Sequence, residues 1–205
     1  MADSYRLRVV DVIDETEDAR SVVLEVPEEL REQFAYTAGQ FLTVGIPSDR
    51  TGIVARCYSM SSAPHEGRCQ ITVKRTTEGY ASNWIVDHVR PGDTLRVLPP
   101  SGIFTPKDLD ADLLLFAAGS GITPIMSITR TALAVGSGQV VLFYANRDRA
   151  SVIFHHELAA LALTAGFAWV RGLGRRRAGL LTLAAVLVTV AFVLLLLDMI
   201  FKPGA

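Results

Sequence analysis

Six short runs rich in β-branched residues fill residues 5–98, and at residue 113 this texture gives way to a continuous apolar run, LLLFA, that leads into Gly119-Ser-Gly. No single architecture accommodates both patterns. Runs of the first kind, at 5–13, 20–26, 40–46, 54–60, 69–75 and 94–98, are separated by turn signals at Asp14–Asp18, Pro47–Gly52, Pro64–Gly67 and Pro91-Gly-Asp. A short helical or irregular insert is expected over 27–34, and a short helix over 82–89 with Ser82 as its cap. The spacing predicts an all-β, six-stranded antiparallel barrel over residues 1–108, closed on itself.

Runs of the second kind are apolar throughout. Residues 113–117 and 140–144 read as strands, and helical patterns at 124–134 and 150–163 follow each of them. Strands without alternation belong to a parallel sheet covered on both faces. A partial α/β nucleotide-binding domain is therefore expected over 109–168.

Composition enters at the C-terminal end. Half of the residues are hydrophobic although 20% are charged, and the net charge is −1. The excess apolarity is local. From Ala178 to Leu197 no residue is charged, and Arg171, Arg175, Arg176 and Arg177 precede this run. Twenty helical residues span roughly 30 Å, and basic residues on the N-terminal side keep that side in the cytoplasm. The expectation is a basic linker at 169–177 and one C-terminal transmembrane helix at 178–197. That makes a single-pass membrane protein with a cytoplasmic N-terminal domain. The N-terminus shows no secretory signal. No basic block precedes the linker, so nucleic acid is not an expected partner. Cys57 and Cys69 fit neither a metal cluster nor a disulfide scaffold.

Four motifs carry chemistry. In Arg56-Cys57-Tyr58-Ser59, strand alternation puts the guanidinium and the phenol ring on one face. That face suits a phosphorylated, planar ligand. Lys74-Arg75 precedes Glu78-Gly79-Tyr80-Ala81-Ser82 at a helix start, where free N–H groups attract phosphate. The turn Gly119-Ser120-Gly121-Ile122-Thr123-Pro124 lies between a strand and a helix, where an open α/β sheet binds dinucleotide phosphates. After the second apolar strand, Asn146-Arg147-Asp148-Arg149 stands where an adenosine end usually lies. A bare strand, a plain cap, a generic turn and solvated charge are the structural alternatives to these four readings.

RCYSMSSAP, ITVKRTTEGYASNWI, GDTLRVLPPSGIF, LLLFAAGSGITPIMSI and VLFYANRDRASVIFHHEL occur in the order and spacing of the ferredoxin–NADP reductase superfamily. The chain resembles that family over residues 5–163, and most closely the reductase components of bacterial oxygenases. The resemblance implies FAD as cofactor and NAD(P)H as electron donor. It implies that Arg56, Tyr58 and Ser59 hold FAD, with Tyr58 against the isoalloxazine and Ser59 near N5. Val73, Lys74, Gly79, Ala81 and Ser82 would line the ribityl and pyrophosphate. Gly119, Ser120, Gly121, Thr123 and Pro124 would take NAD(P)H, with Thr123 near the nicotinamide, and Asn146 and Arg147 its adenosine half. Tyr58, Ser59 and Thr123 are thus the candidate catalytic residues.

The implied activity is NAD(P)H-dependent flavin reduction, with electrons passed to an oxygenase or ferredoxin acceptor. No metal site is expected. Family members continue with further strands and, in oxygenase reductases, with a [2Fe–2S] domain. Neither pattern follows Leu163 here. A non-catalytic flavin-binding or membrane-attached module, and a truncated or fused product, therefore stand as alternative readings.

Overall fold

In the computed structural model, which describes residues 4–163, each β-branched run forms a strand. These are β1 (Tyr5–Thr16), β2 (Ala19–Glu25), β3 (Phe41–Ser48), β4 (Gly52–Ser59), β5 (Cys69–Lys74) and β6 (Thr94–Ser101). They make one antiparallel sheet in the order β4-β3-β6-β1-β2-β5. Alternation sends Leu7, Val9, Val22, Leu24, Leu42, Val44, Ile71, Leu95 and Val97 to one face, where they form a single buried cluster. Helix α1 (Tyr80–His88) adds Ala81, Ile85 and Val86 to it. The insert after β2 is a 3-10 turn, Glu28–Leu30, and Phe34 beyond it packs edge-on against Tyr5.

The expected closed barrel is corrected to an open sheet. The edge strands β4 and β5 share no ladder and meet at one isolated bridge, Met60–Ile71. The register explains why. Arg56 is opposite Val44 and Tyr58 opposite Leu42, so both share the face of the core residues. A guanidinium cannot be sealed into an apolar core without a partner, and the seam stays open beside it. Strand count and alternation are local properties, whereas closure depends on what the two edges carry.

Beyond β6, β7 (Leu113–Ala118), α2 (Ile122–Val135) and β8 (Val140–Ala145) form a strand–helix–strand crossover. Leu113 N–H donates to Gln139 O, and the Phe116 ring stacks on Phe143 at 5.2 Å. Both contacts advance in the same sense along the two strands, so the pair is parallel. Cover on both faces, expected from the apolar runs, is not found among the described residues. Leu114 and Phe116 are 60% and 66% exposed. Phe104 is also exposed. It sits in the loop after β6, where Gly102 at φ 122° turns the chain away from the core.

Among the described residues, 4–144 form one compact unit, and a second begins at Ala145. In the second unit, Asp148 caps a 3-10 turn at Arg149–Ser151, and residues 155–163 are helical.

The predicted single-pass membrane placement is corrected as well. No helix among the described residues is long and apolar enough to cross a membrane. The longer of α1 and α2 has 14 residues, about 21 Å at 1.5 Å per residue, short of the ~30 Å hydrocarbon layer. The run 178–197 and the linker 169–177 lie outside the described residues.

Candidate functional site

The open seam gathers the first two motifs. On the β4 side Arg56 is exposed, and Nη1 donates only to its neighbour Ala55 O, at 2.8 Å. Tyr58 is half-buried against the core rim. Burial pushes its phenol up to about 12, against a smaller downward pull from Arg56. Ser59 ends the strand opposite Phe41. Cys57 points to the other face, with its thiol 3.6 Å from Thr43 Oγ1, as alternation requires.

On the β5 side the sequence reading needs refinement. Val73 is 1% exposed and belongs to the core, so only its backbone faces the seam. Lys74 is engaged by Asp18 at 3.4 Å. Arg75 grips the Asp87 carboxylate through two nitrogens at 2.5 and 3.1 Å, and this holds Asp87 below the usual carboxylate range. Both basic residues are thus neutralised by the fold. Among the described cations of the two motifs, Arg56 alone has no carboxylate partner.

Helix α1 starts two residues earlier than expected. Gly79 is its N-cap and provides no side-chain hydrogen bond, so Ser82 lies inside the first turn instead of capping it. The first-turn N–H groups therefore lack side-chain acceptors, the condition under which a helix end attracts phosphate. Gly79 is required by its own turn: a Cβ there would lie 2.8 Å from Thr76 Cβ and 2.9 Å from Ser82 Oγ. Glu78 before it holds a left-handed φ of 57°. Tyr80 OH donates to Pro47 O at 2.6 Å and ties this end of α1 to β3. A cavity of about 390 Å³ opens beside it, lined by Glu78, Gly79, Tyr80, Asn83 and Trp84 among others. Asn83 Oδ1 is buried without a hydrogen-bond partner.

Gly119–Gly121 forms a 3-10 turn that touches β5 and leads straight into α2. Gly119 has φ 49°, and no heavy atom lies within 4 Å of a Cβ built on Gly119 or Gly121. This open space lets a ligand approach the backbone closely. Ser120 is exposed and Pro124 half-buried in the first turn of α2. Thr123 is 6% exposed, and its hydroxyl donates to Ser120 O at 3.1 Å. It shapes the turn from inside. Tyr144, at the end of β8, donates its hydroxyl to Gly119 O at 2.9 Å. Sequence reading gave Tyr144 no role, although its place at a strand end facing the glycine turn was available as a signal.

Asn146 and Arg147 belong to the second unit. There Asn146 Oδ1 is buried without a hydrogen-bond partner. Asp148 spends its carboxylate on Ser151 N–H at 2.8 Å, which lowers its pKa.

The donor set fits a flavin dinucleotide in the seam: a guanidinium without a carboxylate partner, a half-buried aromatic ring and an uncapped helix N-terminus. The glycine turn with open backbone space fits a second dinucleotide. Among the described residues no group of His, Cys, Asp and Glu could hold a metal.

Comparison with known proteins agrees with this division. The family described as oxidoreductase FAD-binding domain matches residues 6–105, and that described as oxidoreductase NAD-binding domain matches residues 115–173. The chain is 61% identical over 160 residues to the ferredoxin reductase component of 3-ketosteroid-9-alpha-monooxygenase of Rhodococcus rhodochrous, covering 78% of this chain and 46% of that protein. It is 34% identical over 161 residues to the glycine betaine monooxygenase reductase subunit, from Pseudomonas aeruginosa, covering 77% of this chain and 43% of that protein. Phthalate dioxygenase reductase, a solved structure described as modular for electron transfer from pyridine nucleotides to [2Fe-2S], superposes with TM-score 0.66 at 30% identity. That match covers 76% of this chain and 48% of the other. The chain spans about half the length of the curated relatives it matches.

Proposed function

Because the chain belongs to the ferredoxin reductase-like oxidoreductases with FAD-binding and NAD-binding domains, we propose that it is an NAD(P)H-dependent flavoprotein reductase that passes electrons to a separate oxygenase or ferredoxin-type acceptor. The observation that carries this reading is the open seam, where Arg56, Tyr58 and the uncapped start of α1 converge on one side of a sheet with an otherwise ordinary apolar core.

Each residue has a physical task. Arg56 meets a phosphate bidentately, and its lack of a carboxylate partner leaves the guanidinium available for it. The Tyr58 ring offers a flat apolar face to an isoalloxazine. Its phenol is uncharged at neutral pH, as any tyrosine is, so it places no charge beside the ring. Ser59 stands at the strand end with a hydroxyl to offer. Backbone N–H groups at Ala81 and Ser82 act in place of their buried side chains. Lys74 acts indirectly, pinning the β1–β2 turn through Asp18. Bound FAD would supply the conversion of a two-electron donor into single-electron transfers. The turn at Gly119–Pro124 takes the nicotinamide nucleotide through its open backbone.

The test is purification of the full chain followed by anaerobic mixing with NADH or NADPH. A yellow protein that bleaches within seconds supports the reading. A yellow protein that neither nucleotide bleaches reduces it to flavin binding. A colourless protein that takes up no added FAD refutes both.

A further inference from the structure

Helix α2 carries a polar stripe in its buried face. Thr123, Ser127, Arg130 and Thr131 are 0–7% exposed and fall at i, i+4, i+7 and i+8, one side of a helix. Ser127 Oγ donates to Ser62 O at 2.6 Å. Arg130 Nη1 donates to Ser61 O at 2.9 Å and to Glu66 Oε2 at 3.3 Å. Ser61 and Ser62 follow Ser59 by two and three residues, so both ties grip the segment that leaves β4.

That segment is itself held rigidly. Ser62 Oγ accepts from Gln70 N–H at 3.0 Å, and Tyr36 OH lies 2.8 Å from the same oxygen. Ser61 Oγ and Thr72 Oγ1 are 2.8 Å apart. Glu66 Oε2 also accepts from Ala63 N–H at 3.2 Å and Arg68 Nε at 3.1 Å. A guanidinium buried this deeply is costly compared with an aliphatic side chain of similar size. Packing alone does not explain it. What the guanidinium provides is a fixed direction, because its Nη1 bonds a carbonyl and a carboxylate together.

We propose that Arg130 is a positioning residue for electron transfer into the flavin. Through Ser61 and Glu66 it fixes the tilt of α2, and so the place at which a nicotinamide on the Gly119–Pro124 turn meets a flavin lying over Tyr58. The inference rests on the function proposed above. Thr123 lies seven residues, about 10 Å, up the axis from Arg130. A helix is stiff over that length, so loosening one end displaces the other. A misplacement near 1 Å costs about 100-fold in rate.

The test uses the full chain with FAD bound, as wild type, Arg130→Met, Arg130→Lys and Ser127→Ala. Four readings are made: flavin content, affinity for NAD+ and NADP+ from the flavin difference spectrum, the long-wavelength absorbance of nicotinamide stacked on flavin, and the limiting rate of flavin reduction. Arg130→Met is expected to hold FAD and to be fully reduced by dithionite. It should bind oxidised nucleotide within about 3-fold of wild type, lose the stacking absorbance, and be reduced about 100-fold more slowly. Arg130→Lys should recover part of both losses, and Ser127→Ala should show a smaller loss of the same kind. If Arg130→Met loses FAD, Ser127→Ala decides. A weakened stacking absorbance with unchanged nucleotide affinity supports the role, and an unchanged absorbance overturns it. Unchanged rate and absorbance in FAD-loaded Arg130→Met overturn the positioning role alone. A wild type that holds FAD but is reduced by neither nucleotide overturns the functional reading and this role with it.

Discussion

Met60 bridges Ile71 across the seam between β4 and β5, and the two edge strands share no ladder on either side of that contact. Both side chains are fully buried. The bridge therefore sets how far the lips of the proposed flavin site can part. Met60→Ala should cost about 2–5 kcal/mol, and Met60→Leu less than about 1.5 kcal/mol. Urea unfolding measures both. An alanine variant as stable as wild type would show that the seam is held elsewhere.

Replacing Arg56 is expected to weaken flavin retention and to change stability little. It is exposed and bonds only to its neighbour's carbonyl, so Arg56→Ala should change unfolding free energy by no more than about 0.5 kcal/mol. Flavin affinity should fall about 10-fold or more, the worth of one charge-assisted phosphate contact. Fluorescence of released FAD reads the loss, and unchanged retention removes Arg56 from the site.

Two glycines separate backbone demands of the fold from those of the ligand. A Cβ on Gly39 would fall 1.9 Å from Phe104 O, at φ 97°. Gly39→Ala should destabilise by about 2 kcal/mol or more. Gly121 has φ −63° and nothing within 4 Å. Gly121→Ala should melt like wild type yet bind NAD(P)H about 10-fold more weakly, because the methyl occupies the approach to the backbone. Equal nucleotide affinity in Gly121→Ala would place the nucleotide elsewhere.

The Tyr58 phenol has a folded pKa raised from 10.0 to about 12, chiefly by burial. The unfolded chain then loses its proton first as pH rises. Tyr58 thus favours the fold fully below pH 10, and that contribution disappears between pH 10 and about 12. Tyr58→Phe, with no proton to lose, should show a shallower alkaline fall in stability. Identical alkaline profiles for the two proteins would contradict the burial of this hydroxyl.

Much of the fold was legible in the sequence because it is written in local periodicity. All eight strands among the described residues lie within a few residues of the apolar runs that announced them. Alternation alone set Arg56 and Tyr58 on one face and Cys57 on the other. The glycine turn before α2 was equally local, since a left-handed φ at Gly119 asks for a particular residue type.

Tertiary structure decided the rest, through partners far apart in the chain. Lys74 looked like a phosphate ligand until the β1–β2 turn brought Asp18 to it. Thr123 turned inward. Arg130 drew no attention as one basic residue in an apolar helix, although its spacing from Thr123 and Ser127 was visible. Its meaning depends on Ser61 and Glu66, more than 60 positions away. The sequence alone determined the strands, the turn and the family's motifs, because backbone preference and side-chain period act over a few residues. Only the folded chain decided that the sheet stays open at β4 and β5. Closure is a balance between burying Arg56 and Tyr58 and pairing two edges, and no local pattern records how that balance falls.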